Sequence, residues 1–268
     1  MNTIIDNRLD AMNYDFDGEK VLVTGGSRGI GYGIAKAFAL ANAEVFILSS
    51  SEDVVAAAAR LGDESNSVVR GYQCDVTDVD RVRATMLEIG PLEILVANAG
   101  LERITPITDK SSEVEAIFRR IIDINVIGTY LVTREVVNQM STGGRVIITS
   151  SVWGKSAIGE FSAYIASKHA NIGFMRSLAR ELGPGGIRVN CVCPGWVKTD
   201  AAMLSLKRMS QQEERPEAEI LAKIMATQCL DGLQDPDDVA GAYLFLASPL
   251  AKNITGQALN VDRGEFLG

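Results

Sequence analysis

The sequence predicts an α/β fold, a doubly wound seven-stranded parallel sheet with helices on both faces. Two observations carry the prediction. Short apolar runs alternate with helical stretches along the whole chain, and that alternation favours parallel strands covered on both sides. In addition, a glycine-rich turn, Thr24-Gly-Gly-Ser-Arg-Gly-Ile-Gly31, joins the first apolar run to the first helical stretch.

The first run, Lys20–Thr24, reads as a buried strand. Residues 30–40 read as a helix, and Asn42 can close it in a left-handed conformation. Further strand candidates are residues 44–48, 67–73, 93–97, 144–149, 186–192 and 257–260. Residues 113–140 read as one long helix that is apolar nearly all round, with Ile117, Phe118, Ile121, Ile124, Leu131 and Val136. One face covers the sheet, and a second face calls for burial elsewhere. A thick monomeric core is the other account of that face. The helix carrying Tyr164 is similar, with Ile172, Phe174, Met175 and Leu178, and Gly183-Pro-Gly-Gly186 ends it.

The 268 residues suit one domain over 17–268 after a short leader, 1–16, that carries Asp6, Asp10 and Asp15 and no apolar signal core. A net charge of −8 argues against nucleic acid and acidic membranes as partners. No apolar run reaches membrane-spanning length. The four cysteines, Cys74, Cys191, Cys193 and Cys229, lack the paired spacing of a metal site. They read as core thiols of a cytoplasmic protein without a metal. His169 is the only histidine, directly after Lys168, which excludes a Ser-His-Asp hydrolase.

Tyr164 and Lys168 stand four apart, so a helix places them on one face. A free phenol titrates near ~10. A cation at ~4 Å in an effective dielectric of ~20 favours the phenolate by about 4 kcal/mol, roughly 3 pK units. That brings the phenol towards the range of a general acid/base. Ser151, thirteen residues upstream, ends an apolar run where its hydroxyl can hold a substrate oxygen. The plain alternative is a surface tyrosine and a solvated lysine. The glycine turn allows close backbone approach to a pyrophosphate at a helix N-terminus.

Together these motifs resemble the compact short-chain dehydrogenase/reductases over about residues 17–262. Thr24-Gly-Gly-Ser-Arg-Gly-Ile-Gly31 resembles the cofactor loop of that family, Asn98-Ala-Gly100 its turn after the fourth strand, and Pro194-Gly195 with Thr199 its nicotinamide-side loop. Asn125, Ser151, Tyr164 and Lys168 fall where its catalytic tetrad falls. Ala97 and the Asp262-Arg263-Gly264 run depart from its usual pattern. The resemblance implies a Rossmann-type fold and reversible hydride transfer between a nicotinamide cofactor and a carbonyl or secondary alcohol. Tyr164 is then the general acid/base and Lys168 its modulator and ribose ligand. Ser151 binds the substrate oxygen, and Asn125 anchors a water for proton relay or merely kinks its helix. The implied cofactor contacts are Gly25, Ser27, Arg28, Gly29, Ile30, Gly31, Ser49, Ser50, Ser51, Asp75, Val76, Asn98, Ala99, Gly100, Pro194, Gly195, Val197 and Thr199, besides Tyr164 and Lys168. Trp153, Phe161 and Trp196 are the expected substrate-pocket residues, and about 200–230 the substrate lid.

NADP(H) is the expected cofactor, with NAD(H) the alternative. An acid at the end of the second strand would accept from the ribose 2′-OH. Ser49-Ser-Ser51 stands there instead, and Arg28 can reach a 2′-phosphate. Glu52 and Asp53 weigh the other way. The family also implies a small-molecule substrate and a homodimer or homotetramer. Enoyl reductases of the same superfamily space Tyr and Lys by seven, not four. A catalytically silent cofactor-binding regulator on the same fold is the competing function.

Overall fold

The computed structural model describes residues 14–268, so most of the expected leader lies outside the described residues. Phe16, its last residue, is buried in the core. The Phe16 ring meets Phe38 edge-on at 5.1 Å, and its N–H donates to Ala41 O at 2.8 Å.

Seven strands form one parallel sheet: β1 (Lys20–Thr24), β2 (Glu44–Ser49), β3 (Val69–Gln73), β4 (Ile94–Ala97), β5 (Arg145–Thr149), β6 (Arg188–Pro194) and β7 (Ala258–Val261). Their spatial order is β3-β2-β1-β4-β5-β6-β7. Parallel neighbours need crossovers, and helices supply them. These are α1 (Gly29–Leu40), α2 (Val54–Ser65), α3 (Val79–Ile89), α4 (Ser112–Ile122), α5 (Thr129–Val137), α6 (Ser162–Leu182), α7 (Asp200–Glu213), α8 (Glu217–Met225) and α9 (Pro236–Ala247).

Alternate residues of each central strand feed opposite faces. Val21, Val23, Ile94 and Val96 pack with Ile34, Phe38 and Tyr243 on one side. Leu22, Leu95, Val146 and Ile148 pack with Met86, Val132 and Met175 on the other. Cys191 and Cys193 are buried on that second face, two residues apart on β6. Asn42 does close α1, with φ of 67°.

The expected helix over 113–140 is helical without a gap from Ser112 to Val137, but it is not α-helical throughout. Between α4 and α5 the chain forms a π-helical segment, Asp123–Gly128, that contains Asn125. Such wide turns concentrate at functional sites. Strand order reverses between β1 and β4, and in open parallel sheets the crevice at that switch point takes the ligand. Among the described residues no helix is long and apolar enough to cross a membrane.

Candidate active site

The phosphate-side half of the crevice begins where β1 ends. Gly25 and Gly29 take φ of 67° and 55°, a region that favours glycine. A Cβ on Gly31 would lie 2.2 Å from Gly25 O. The turn is therefore a cradle that side chains would fill, and it opens at the N-terminus of α1, as a pyrophosphate requires. Ser27, Arg28, Ile30, Ser49 and Ser50 line the same crevice, and the Ser27 and Ser49 hydroxyls bond at 3.1 Å. No acid stands at the end of β2. Ser51 does not reach the wall; its N–H turns back to Ser49 Oγ at 3.2 Å.

Asp75 and Val76 line the crevice just after β3. Arg120 of α4 donates to Asp75 Oδ2 at 2.5 Å and to Thr77 Oγ1 at 3.1 Å. Burial raises the Asp75 pKa, but hydrogen bonds from Thr77 and Arg120 outweigh it and hold the carboxyl below its usual value. Asn98 braces the crest of the sheet. Its Nδ2 donates to Thr24 O at 3.0 Å, and its Oδ1 accepts from Thr149 Oγ1 at 3.1 Å. Ala99, Gly100, Pro194, Gly195, Val197 and Thr199 complete this wall, with Thr199 capping α7.

Three catalytic candidates converge from two elements. Ser151 follows β5 and caps the short turn Val152–Gly154, its Oγ accepting from Trp153 N at 3.1 Å. Tyr164 and Lys168 come from α6, and all three residues line the crevice. Lys168 is buried; its Nζ donates to Thr149 O at 2.9 Å and lies 5.4 Å from the Tyr164 ring centroid.

The electrostatics differ from the sequence expectation that Lys168 depresses the phenol. Burial pushes the Tyr164 phenol above its usual value, and the Glu102 carboxylate adds to the rise. A hydrogen bond with Ser151 pulls the other way. Burial also brings the Lys168 ammonium down to about 8. Desolvation by burial is the largest cause for both groups.

Asn125 is fully buried behind the crevice. Its Oδ1 accepts from Leu101 N at 2.7 Å, and its Nδ2 donates to Leu101 O at 3.0 Å and Ser167 Oγ at 2.9 Å. An amide offers two donors and one acceptor oxygen, so both donors are used by protein groups. The side chain braces the loop after β4 against α6. Thr129 Oγ1 donates to its main-chain oxygen at 2.8 Å.

Trp153 and Trp196 stand on the crevice wall. Phe161 does not; it lies behind Trp153, ring to ring at 5.1 Å, because its position before α6 points it into the small cluster with Val152. His169 is exposed, with Nδ1 3.0 Å from Ile165 O. Glu102 and Arg120 are among the wall residues that the sequence did not predict. Glu102 lies two residues past Asn98-Ala-Gly100, and that adjacency was its one available signal.

Comparison with known proteins agrees with this arrangement. A family model described as enoyl-(acyl carrier protein) reductase matches residues 25–265. The oxidoreductase UcpA of Salmonella typhimurium is 37% identical over 263 residues, covering 93% of this chain and 95% of its own. A short chain dehydrogenase from Burkholderia cenocepacia, solved with NADP, superposes with a TM-score of 0.79 at 31% identity, over 93% of this chain and 98% of that one. Carveol dehydrogenase from Mycobacterium avium, solved with NAD, gives 0.83 at 29% identity, over 94% and 99%. With the switch-point crevice, the glycine cradle and the Tyr164–Lys168 pair on α6, these matches establish that the chain belongs to the short-chain dehydrogenase/reductase family.

Proposed function

We propose that the protein is an NADP(H)-preferring ketone reductase and alcohol dehydrogenase. The observation that carries this reading is the convergence of Ser151, Tyr164 and Lys168 on one crevice with the glycine cradle. When bound, the nicotinamide supplies or accepts the hydride. Tyr164 gives its phenol proton to the substrate oxygen in reduction and takes it back in oxidation. The Ser151 hydroxyl holds that oxygen beside the phenol. Lys168 keeps a positive charge next to the phenolate that forms. Asn125 positions the site by fixing Leu101 and Ser167. Trp153 and Trp196 exclude water from one side.

The gap at the ribose supports the NADP(H) preference. Ser49 and Ser50 offer hydroxyls, Arg28 is exposed at the start of α1, and Glu52 and Asp53 are exposed off the crevice. Exposed Phe118, Ile127 and Tyr130 along α4, the π segment and α5 support a homo-oligomer with that helix in its interface.

The test is NADPH and NADH absorbance with a panel of ketones. Oxidation of NADPH dependent on a ketone supports the enzyme. Tight cofactor binding without turnover on any ketone or alcohol favours the silent regulator instead.

A further inference from the structure

We infer that Glu102 is the specificity-determining residue of the pocket and selects a substrate bearing hydroxyl groups beside its reacting carbonyl; the inference rests on the carbonyl-reductase reading above.

Glu102 lines the same crevice as Ser151, Tyr164 and Trp196. Its place is fixed from two sides. The preceding residue, Leu101, is held through both its N–H and its C=O by Asn125. Ser205 of α7, itself buried, donates to Glu102 Oε1 at 2.7 Å. The carboxylate is thus clamped between the loop after β4 and α7, whose first turn lines the crevice. Burial raises its pKa, so its placement carries a desolvation cost. Its charge acts on both Tyr164 and Lys168, which line the same crevice.

An ionised carboxylate only accepts hydrogen bonds, at about four lone-pair positions. Ser205 uses one of them. The group that completes the set must be a donor. Arg103, Lys168 and Arg208 already offset the charge of Glu102. A neutral hydroxyl suits that field better than an ammonium, because the carboxylate charge is already offset. A substrate carboxylate or phosphate is disfavoured for the opposite reason. Of the cations lining the crevice, Lys168 is engaged with Thr149 O, Arg120 with Asp75, and Arg28 sits at the start of α1 on the phosphate side. A substrate anion would face Glu102 without a free counter-charge.

The test compares wild type, Glu102→Ala, Glu102→Gln and Ser205→Ala on erythrulose, butanone and aminobutanone with NADPH. Cofactor-free binding of erythritol is read in parallel from Trp153 and Trp196 fluorescence. Wild type should prefer erythrulose. Glu102→Ala should lower the erythrulose-to-butanone ratio of kcat/KM roughly 10–100-fold, the loss of a hydrogen bond to a charged group. Glu102→Gln should fall between, since its amide oxygen still accepts. Ser205→Ala should leave the ratio within about threefold, because removing the tether leaves the carboxylate. Equal losses on erythrulose and butanone would reduce Glu102 to a strut for α7 and overturn the inference. So would a wild-type preference for aminobutanone, or an unchanged ratio. If no ketone is reduced yet erythritol binding still depends on Glu102, the reductase reading fails and the hydroxyl site stands. If butanone is reduced and the Glu102 variants are indifferent, only the site falls.

Discussion

Lys168 Nζ donates to the carbonyl of Thr149 at 2.9 Å, so the cation of the site is anchored to the end of β5 and not to the phenol beneath it. Burial has brought that ammonium to about 8. The unfolded chain, with an ordinary lysine, therefore holds more protons than the folded one between about pH 8 and 10.5, and stability from this group rises with pH across that window. Below pH 8 the penalty of burying the charge is present in full. Thermal melts of wild type and Lys168→Met should converge or cross in favour of wild type as pH rises from 7 to 10, by up to about 3 kcal/mol. Parallel curves would show that the ammonium is not desolvated.

Tyr164→Phe removes one oxygen and keeps the ring that packs edge-on against Trp153 at 6.1 Å. Turnover should fall by roughly 100-fold or more, the usual worth of a general acid/base. The dissociation constant for NADPH should stay within about threefold, since the phosphate cradle is untouched. Steady-state rates and fluorescence titration measure the two quantities separately. A variant that keeps a tenth of its activity would remove the phenol from the mechanism.

Arg28 is the cation nearest the Ser27–Ser49 hydroxyl pair in sequence, and it is exposed at the start of α1. Arg28→Ala should lower kcat/KM with NADPH roughly tenfold and leave NADH nearly unchanged, because only one cofactor carries the 2′-phosphate. A ratio that does not move would place the discrimination elsewhere in the crevice.

Asn125→Ala leaves the part-buried N–H and C=O of Leu101 without their side-chain partners. The cost should be about 1–3 kcal/mol in chemical denaturation. Activity should drop further than stability explains, because Leu101 carries Glu102 into the pocket. Asn125→Asp, which keeps the acceptor but not the donors, should recover only part of either. Full activity in a folded Asn125→Ala protein would limit the residue to packing.

Trp153 and Phe161 touch, yet they should respond differently. Trp153→Ala opens the crevice wall and should change the ranking of ketone substrates. Phe161→Ala makes a cavity behind the wall and should cost about 3–5 kcal/mol of stability with the ranking kept. Melting temperature and a substrate panel on both variants distinguish the outcomes.

The sheet was legible because its central strands are apolar throughout and bounded by turn residues. Even β3, with Arg70 exposed, stood out by its place in the alternation. The pairing of Tyr164 with Lys168 follows from helical spacing alone. The change to π geometry between α4 and α5 did not show, since Ile122, Ile124 and Val126 continue an apolar pattern through the π segment. Glu102 was hidden for another reason. Its burial depends on Ser205, 103 residues later, and no local pattern encodes that contact. The Tyr164 phenol shifts opposite to what its spacing from Lys168 predicts, because pairwise attraction leaves out desolvation, the largest cause here.

The π segment also sets how this chain can tolerate changes in length. A π turn holds one residue more than an α turn, so the stretch Asp123–Gly128 absorbs an extra residue while α4 and α5 each keep their own faces. Removing one residue there would tighten the turn into ordinary helix and sacrifice chiefly the Asn125 brace. Between Tyr164 and Lys168 no such slack exists. One inserted residue would swing the ammonium about 100° around α6, away from the phenol and from Thr149. The two halves of the site therefore differ in register tolerance, and length variation is admissible on the π side alone.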